Sequence, residues 1–149
     1  MKKEAKEEGA AVKKRTRKAH LELMKKFLGE PVTNVRFFGN KISLTYLGCR
    51  ISDKCVVRKN PHVGEWSRRR KEVIVDKNFD NEKRKKEFRS LCVHEAVERF
   101  LVKTYGLNTD NEAHVVATRK EKEFLKSEKG NWRSHQMHVF WDWHKQGEK

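Results

Sequence analysis

The chain has no run of eighteen apolar residues, so nothing in it is long enough to cross a bilayer as a helix. Its first residues are charged rather than apolar, which argues against a secretory signal. Cysteine is scarce. Cys49, Cys55 and Cys92 are odd in number, and their spacings match no zinc knuckle or disulfide framework. They are expected to be reduced thiols in a cytoplasmic protein. Internal repeats are absent, and so is any helix-turn-helix, zinc-finger or aromatic RNA-binding motif. Proline occurs only at Pro31 and Pro61, which act as punctuation. Apolar residues make up 36% of the 149, enough for one domain with a modest core.

Charge is plentiful. Thirty-six Lys and Arg face twenty-one Asp and Glu, for a net charge of +15. That balance permits a polyanionic partner such as nucleic acid. The candidate phosphate contacts are Lys13, Lys14, Arg15, Arg17 and Lys18 near the start, and Arg68, Arg69 and Arg70 in a later loop.

The alternation of patterns predicts an α+β fold. A basic N-terminal helix comes first, then a small mixed or antiparallel sheet, then two packed helices. Residues 1–9 are expected to fray as a flexible basic N-terminus, leaving 10–149 as a single domain. Ala10 to Leu28 reads as a helix with Val12, Ala19, Leu23, Met24 and Phe27 on its apolar side, ending at Gly29. His20 on it is expected to be a surface or packing residue. Val35 to Phe38, Lys41 to Leu47, Lys54 to Arg58 and Glu72 to Asp76 are β-rich runs, and Phe38-Gly39-Asn40-Lys41 has the form of a tight hairpin turn. Lys59 to Lys71 reads as a loop, and His62 within it receives no role. Asp80 is placed to cap a helix from about Asn81 to Tyr105, with Gly106 at its C′ position. Thr109-Asp110-Asn111-Glu112 then has the form of a capping box for the next helix, ending near Gly130. Asn131 to Lys145 is a short helix or irregular tail expected to pack Trp132, Phe140, Trp141 and Trp143 on the domain.

The informative stretch is Leu91 to Val102. At about 100° per residue, His94 and Glu98 fall in the middle of the apolar arc formed by Leu91, Val97 and Leu101. Arg99, Lys103, Arg89 and Lys85 fall on the opposite side, which is expected to face water, as is Cys92. Burying a carboxylate costs several kcal/mol unless it is paired or bound to a metal. Residues at i and i+4 point the same way from successive turns, a geometry that suits two ligands of one ion. A buried His–Glu pair without metal is the plain alternative. Glu95 lies about 100° round from His94, where it can lean over an ion without ligating it.

His114, in the first turn of the next helix, is the candidate third ligand. The short connection makes the two helices neighbours. Two His and one Glu with an open position form a catalytic rather than a structural zinc set, although another divalent transition metal is possible. Glu121 shares a face with His114 and can orient it or act as a fourth ligand. His135 and His138 are more simply surface residues beside an aromatic cluster. If either reached the site it would compete with His114.

Val73 to Val75 followed by Arg89-Ser90-Leu91-Cys92-Val93-His94-Glu95 resembles the core of the zincin metallopeptidases. His94-Glu95-Ala96-Val97-Glu98, Tyr105-Gly106-Leu107 and Glu112-Ala113-His114 with Ala117-Thr118 are similar to a group of small archaeal and phage proteins. The resemblance spans about residues 70–128, the expected metal-site core. It implies hydrolysis of peptide bonds in a peptide or protein substrate, with Glu95 as the general base. It also implies that a substrate chain pairs with the strand Glu72 to Asp76. The sequence departs from the zincin motif at Glu98, where zincins carry a second His.

Overall fold

The computed structural model describes residues 15–147. The readings for residues 1–14, including Val12, Lys13 and Lys14, lie outside the described residues. The fold is α+β: a helix, a five-stranded mixed sheet and three further helices. No helix among the described residues is long and apolar enough to cross a membrane.

Helix α1 spans Arg17–Gly29, starting later than the periodicity suggested. Thr16 stops it from extending backwards, because its Oγ1 accepts a hydrogen bond from the Ala19 N–H and so caps the first turn. Met24 and Phe27 are its buried residues, while Ala19 is exposed. Its C-terminal end is held from outside. The buried Lys120 ammonium donates to the carbonyls of Leu28 and Glu30 at 3.0 and 2.5 Å. A cation there satisfies carbonyls that the helix leaves without partners.

Five strands follow: β1 (Val32–Phe38), β2 (Lys41–Tyr46), β3 (Cys49–Arg58), β4 (Gly64–Trp66) and β5 (Glu72–Asp76). Their order is β1-β2-β3-β5-β4. The first three form an antiparallel meander, β5 runs parallel to β3, and β4 returns antiparallel to β5. Gly39, at φ +54°, supplies the left-handed turn between β1 and β2. The stretch expected as a loop, Lys59 to Lys71, thus contains a strand. Three residues are too short for a period-2 pattern to show, and Gly64 has low strand propensity.

Between the sheet and the next helix are two 3₁₀ turns, Lys77–Phe79 and Glu82–Arg84. Asn81 rather than Asp80 makes the cap, accepting from the Arg84 N–H. Helix α2 then runs from Lys85 to Tyr105 and packs across β2, β3, β4 and β5. Gly106, at φ +64°, ends it. The Gly106 N–H donates to the Val102 carbonyl, the single bond of an αL closure, and the Leu107 N–H donates to that of Leu101. A single π turn, Thr109–Ala113, leads into helix α3, His114–Ser127. The extra residue moves the cap back by one. Asn108 accepts from the Asn111 N–H, Glu112 accepts from the Asn108 N–H, and Thr109 is buried.

Helix α2 is held between the sheet and α3. Every residue from Ser90 to Glu98 is therefore buried, not one face alone. This corrects the placement of Cys92, which is fully buried beside Cys55; burial pushes its thiol well above the ordinary range and the Cys55 neighbour adds to that. It also corrects the placement of Arg89 and Arg99, both half-buried. Arg89 lies over the Phe37 ring, and Arg99 donates to the Ser67 carbonyl. Helix α4, Trp132–Gly147, completes the described chain. Its aromatics do not all pack inwards as expected. Phe140, Trp141 and Trp143 are each more than half exposed, while His135 is fully buried.

Candidate metal centre

The sheet and α3 hold α2 from two sides, and that is where its polar residues lie. His94 and Glu98 sit one turn apart, and His94 Nε2 is 3.0 Å from Glu98 Oε2. From the first turn of α3, His114 brings its Nδ1 to 3.1 Å from the same oxygen. One ligand atom from each of the three lies within 4.8 Å of the others. Two ligands of a tetrahedral zinc ion, with bonds of about 2.0–2.1 Å, stand about 3.3 Å apart. Two imidazole nitrogens flanking one carboxylate oxygen are a donor set that fits a divalent transition metal. His94, Glu98 and His114 form a cluster that can hold a metal ion.

Access is uneven. His94 and Glu98 are buried, whereas the His114 side chain is 57% exposed. The cluster therefore meets solvent on the α3 side. Two open concavities, of about 770 and 460 Å³, lie away from it, although Trp66 lines the smaller one. The Trp66 indole reaches back and donates to Glu98 Oε1 at 3.1 Å. That leaves Oε2 as the oxygen turned to the two histidines.

Glu121 contacts His94, not His114 as the shared helical face suggested. Its Oε1 lies 2.7 Å from His94 Nδ1. The spacing on α3 was read correctly, but α3 crosses α2 so that His114 meets Glu98 and Glu121 meets His94. A carboxylate on Nδ1 fixes the ring and offers Nε2 to the cluster. The second Glu121 oxygen is 2.5 Å from His135 Nε2, and His135 Nδ1 is 2.8 Å from Glu87 Oε1. His138 Nδ1 closes the series, 2.9 Å from both Glu87 oxygens. Histidines and glutamates thus alternate from His114 to His138. His135 and His138 do not join the cluster. His135 reaches it only through Glu121, and His138 only through Glu87 and His135. Sequence spacing could not reveal this, because the i, i+3 pair lies on α4 and its glutamates on α2 and α3.

The charges follow from this alternation. Burial alone would lower the His94 pKa, but hydrogen bonds to Glu121 and Glu98 raise it well above the ordinary value. Burial opposes the charged form of His135 too, and Glu121 and Glu87 override it, lifting the pKa to about 9. Burial would raise Glu121, yet His135 and His94 hold it at about 2. Glu98 is likewise held low by His114 and His94 against its own burial. The two ring nitrogens of His94 thus face Glu121 and Glu98, one on each side.

Glu95 differs from all of these. It is buried, with Oε2 3.8 Å from His94 Nε2, and it accepts no hydrogen bond from the described residues. Burial, and then the Glu98 charge, push its pKa well above the usual carboxylate range; His94 opposes them. It lies against Gly64 of β4, where a Cβ would stand 2.9 Å from Oε2.

Of the residues considered for phosphate contact, Arg15 is committed elsewhere. Its Nη1 lies 2.6 and 2.7 Å from the two Glu112 oxygens, and His20 Nδ1 is 3.1 Å from the same carboxylate. Arg17 and Lys18 are exposed on α1; Arg69 and Arg70 are exposed and Arg68 half-buried in the β4–β5 hairpin. His62 packs its ring near Trp143. Both edges of β5 are occupied, by β3 and by β4, so a substrate chain cannot pair with Glu72 to Asp76 as the resemblance implied. The edge that stands nearest the cluster is that of β4.

Comparison with known protein families, with curated proteins and with solved structures found no match.

Proposed function

We propose that this protein is a zincin-like metal-dependent hydrolase of peptide bonds. The observation that carries the reading is the relation of Glu95 to the cluster. A buried carboxylate with no hydrogen bond from the described residues lies 3.8 Å from a His94 nitrogen, beside three donors that can hold a metal and open to solvent at His114. A paired structural site has no use for such a residue, whereas a hydrolytic site needs one.

His94, Glu98 and His114 would hold the ion, which we take to be zinc from the two-His, one-carboxylate set. Zinc held there would lower the pKa of a water toward about 7 and polarise a carbonyl. The protein's own part is positional. Glu121 fixes the His94 ring and Trp66 fixes the Glu98 carboxylate. Glu95 accepts a proton from the attacking water and delivers it to the leaving nitrogen. Gly64 leaves the room in which that carboxylate lies. A substrate chain would lie along the edge of β4 that no described strand covers, since that strand touches both Glu95 through Gly64 and Glu98 through Trp66.

The test is metal content with activity. Purified protein should carry one zinc per chain, lost in His94→Ala and in His114→Ala. Glu95→Gln should retain the zinc and lose cleavage of an unstructured protein substrate by at least about a hundredfold. Absence of metal after zinc is supplied would reduce the cluster to a buried ion-pair network and end the hydrolase reading.

A further inference from the structure

We propose that the β4–β5 hairpin selects acidic polypeptide: an extended segment that pairs with the free edge of β4 and sets carboxylate side chains on Arg58, Arg69 and Arg70. This rests on the reading of a polypeptide substrate and names its class.

The edge comes first. The Asp76 N–H donates to the Val63 carbonyl and the Ser67 N–H to that of Glu72, while Glu65 stands opposite Ile74. In an antiparallel ladder the bonded pairs alternate. The N–H and C=O groups of Gly64 and Trp66 therefore point away from β5, at the edge of the sheet. An extended polypeptide satisfies such groups by adding a strand, and its side chains then alternate between the two faces.

One face leads to the metal cluster through Trp66 and Gly64. The other carries the concavity of about 460 Å³, with Ile74 in its lining and Arg58, Arg68, Arg69 and Arg70 around it. Glu65 is the one acidic residue that lines it. Arg58, Arg69 and Arg70 are exposed and form no ion pair among the described residues. Their loop is held firmly. Arg99 Nε donates to the Ser67 carbonyl at 2.9 Å, Lys103 Nζ to that of Arg68 at 2.7 Å, and the Arg70 N–H to Ser67 Oγ at 3.1 Å. A fixed backbone removes the cost of ordering the loop, and guanidinium groups pair with carboxylates through two parallel hydrogen bonds.

The chemistry favours peptide over nucleic acid. A single strand of nucleic acid is gripped by exposed aromatic faces as well as by cations. The exposed Phe140, Trp141 and Trp143 are all on α4 and none lines this concavity; Trp66, which does, is buried.

The experiment uses the full chain as Glu95→Gln with zinc, so that nothing is cut. Labelled ten-residue peptides of alternating Glu and Thr, Gln and Thr, and Lys and Thr, and a ten-nucleotide DNA strand, are titrated by fluorescence anisotropy. The Glu–Thr peptide should bind at least about tenfold tighter than Gln–Thr. Arg69→Ala with Arg70→Ala should remove that preference, and Arg69→Glu with Arg70→Glu should transfer it to Lys–Thr. Circular dichroism checks that each variant is folded. Lys18→Ala with Lys25→Ala, which removes the same charge from α1, should change the preference by less than about twofold. Equal weakening by that pair would show diffuse attraction to a basic protein and overturn the proposal. So would equal affinity for Glu–Thr and Gln–Thr, or DNA binding that is tighter than peptide binding and lost with Arg69 and Arg70. Acidic peptide bound but never cut by the wild type would end the hydrolase reading and leave the groove. Neutral and acidic peptides cut at equal rates would do the reverse.

Discussion

A hydrogen atom in place of a side chain at Gly64 decides where the Glu95 carboxylate lies. A Cβ there would meet Glu95 Oε2 at 2.9 Å and its Cδ and Cγ at 3.3 Å. Gly64→Ala should therefore displace the carboxylate while leaving His94, Glu98 and His114 intact. We expect unchanged zinc stoichiometry, a stability cost of about 1–3 kcal/mol from overpacking, and hydrolysis lowered at least about tenfold. Metal analysis, thermal melts and rates on one preparation check all three. Trp66 acts on the other carboxylate. Trp66→Phe keeps an aromatic ring in the core and removes the donor to Glu98 Oε1. Such supporting hydrogen bonds carry about 10–100-fold in metal affinity. Competition with a zinc chelator should show a loss in that range, and an unchanged affinity would mean that the indole only packs.

Among the elements, α2 was the most legible in the sequence, and the reasons are local. Gly106 ends it because a left-handed φ of +64° is needed there, and glycine is the residue that adopts it freely. Gly106→Ala should cost about 1–2 kcal/mol and lower the melting temperature by roughly 2–8 °C for a chain of this size. The juxtaposition of His94, Glu98 and His114 was legible too, since i, i+4 spacing and a short connection bring the three together. What was hidden depended on how elements cross. Cys92 reads as solvent-facing if α2 has one buried side, but the helix is covered by the sheet and by α3. Strand β4 is three residues long and leaves no periodic trace, yet it takes the β5 edge and makes the new one. The Glu121–His135–Glu87 contacts join three helices at separations of 14 and 48 residues, and no local pattern encodes them.

For the molecule as a whole, the alternating histidines and glutamates set a pH window. His135 has a folded pKa of about 9, above the ordinary histidine value of 6.5. Its contribution to stability is full below about pH 6.5 and is lost as pH rises through about 9. Glu121 is depressed to about 2 and Glu87 is also lowered, so theirs is present above the ordinary carboxylate range and lost as pH falls. Metal-free protein should be most stable at about pH 5–6. Thermal melts from pH 5 to 9.5 should show a decline above pH 7 that His135→Gln flattens. A decline of equal slope in that variant would assign the effect to other groups. A zinc ion would displace any proton on His94 Nε2, so zinc affinity should rise with pH. Isothermal titration in two buffers of different ionisation enthalpy would count the protons released.

Lys120 has its ammonium closed between the carbonyls of Leu28 and Glu30, and it is 2% exposed in a chain with 36 lysines and arginines. To an acylating reagent, the described lysines of the folded protein are thus a dense set of targets with one buried member. Modification at Lys120 will report unlatching of α1 from α3 before any global loss of structure, and labelling yield at that single position, read by peptide mass spectrometry, becomes a clock for that opening.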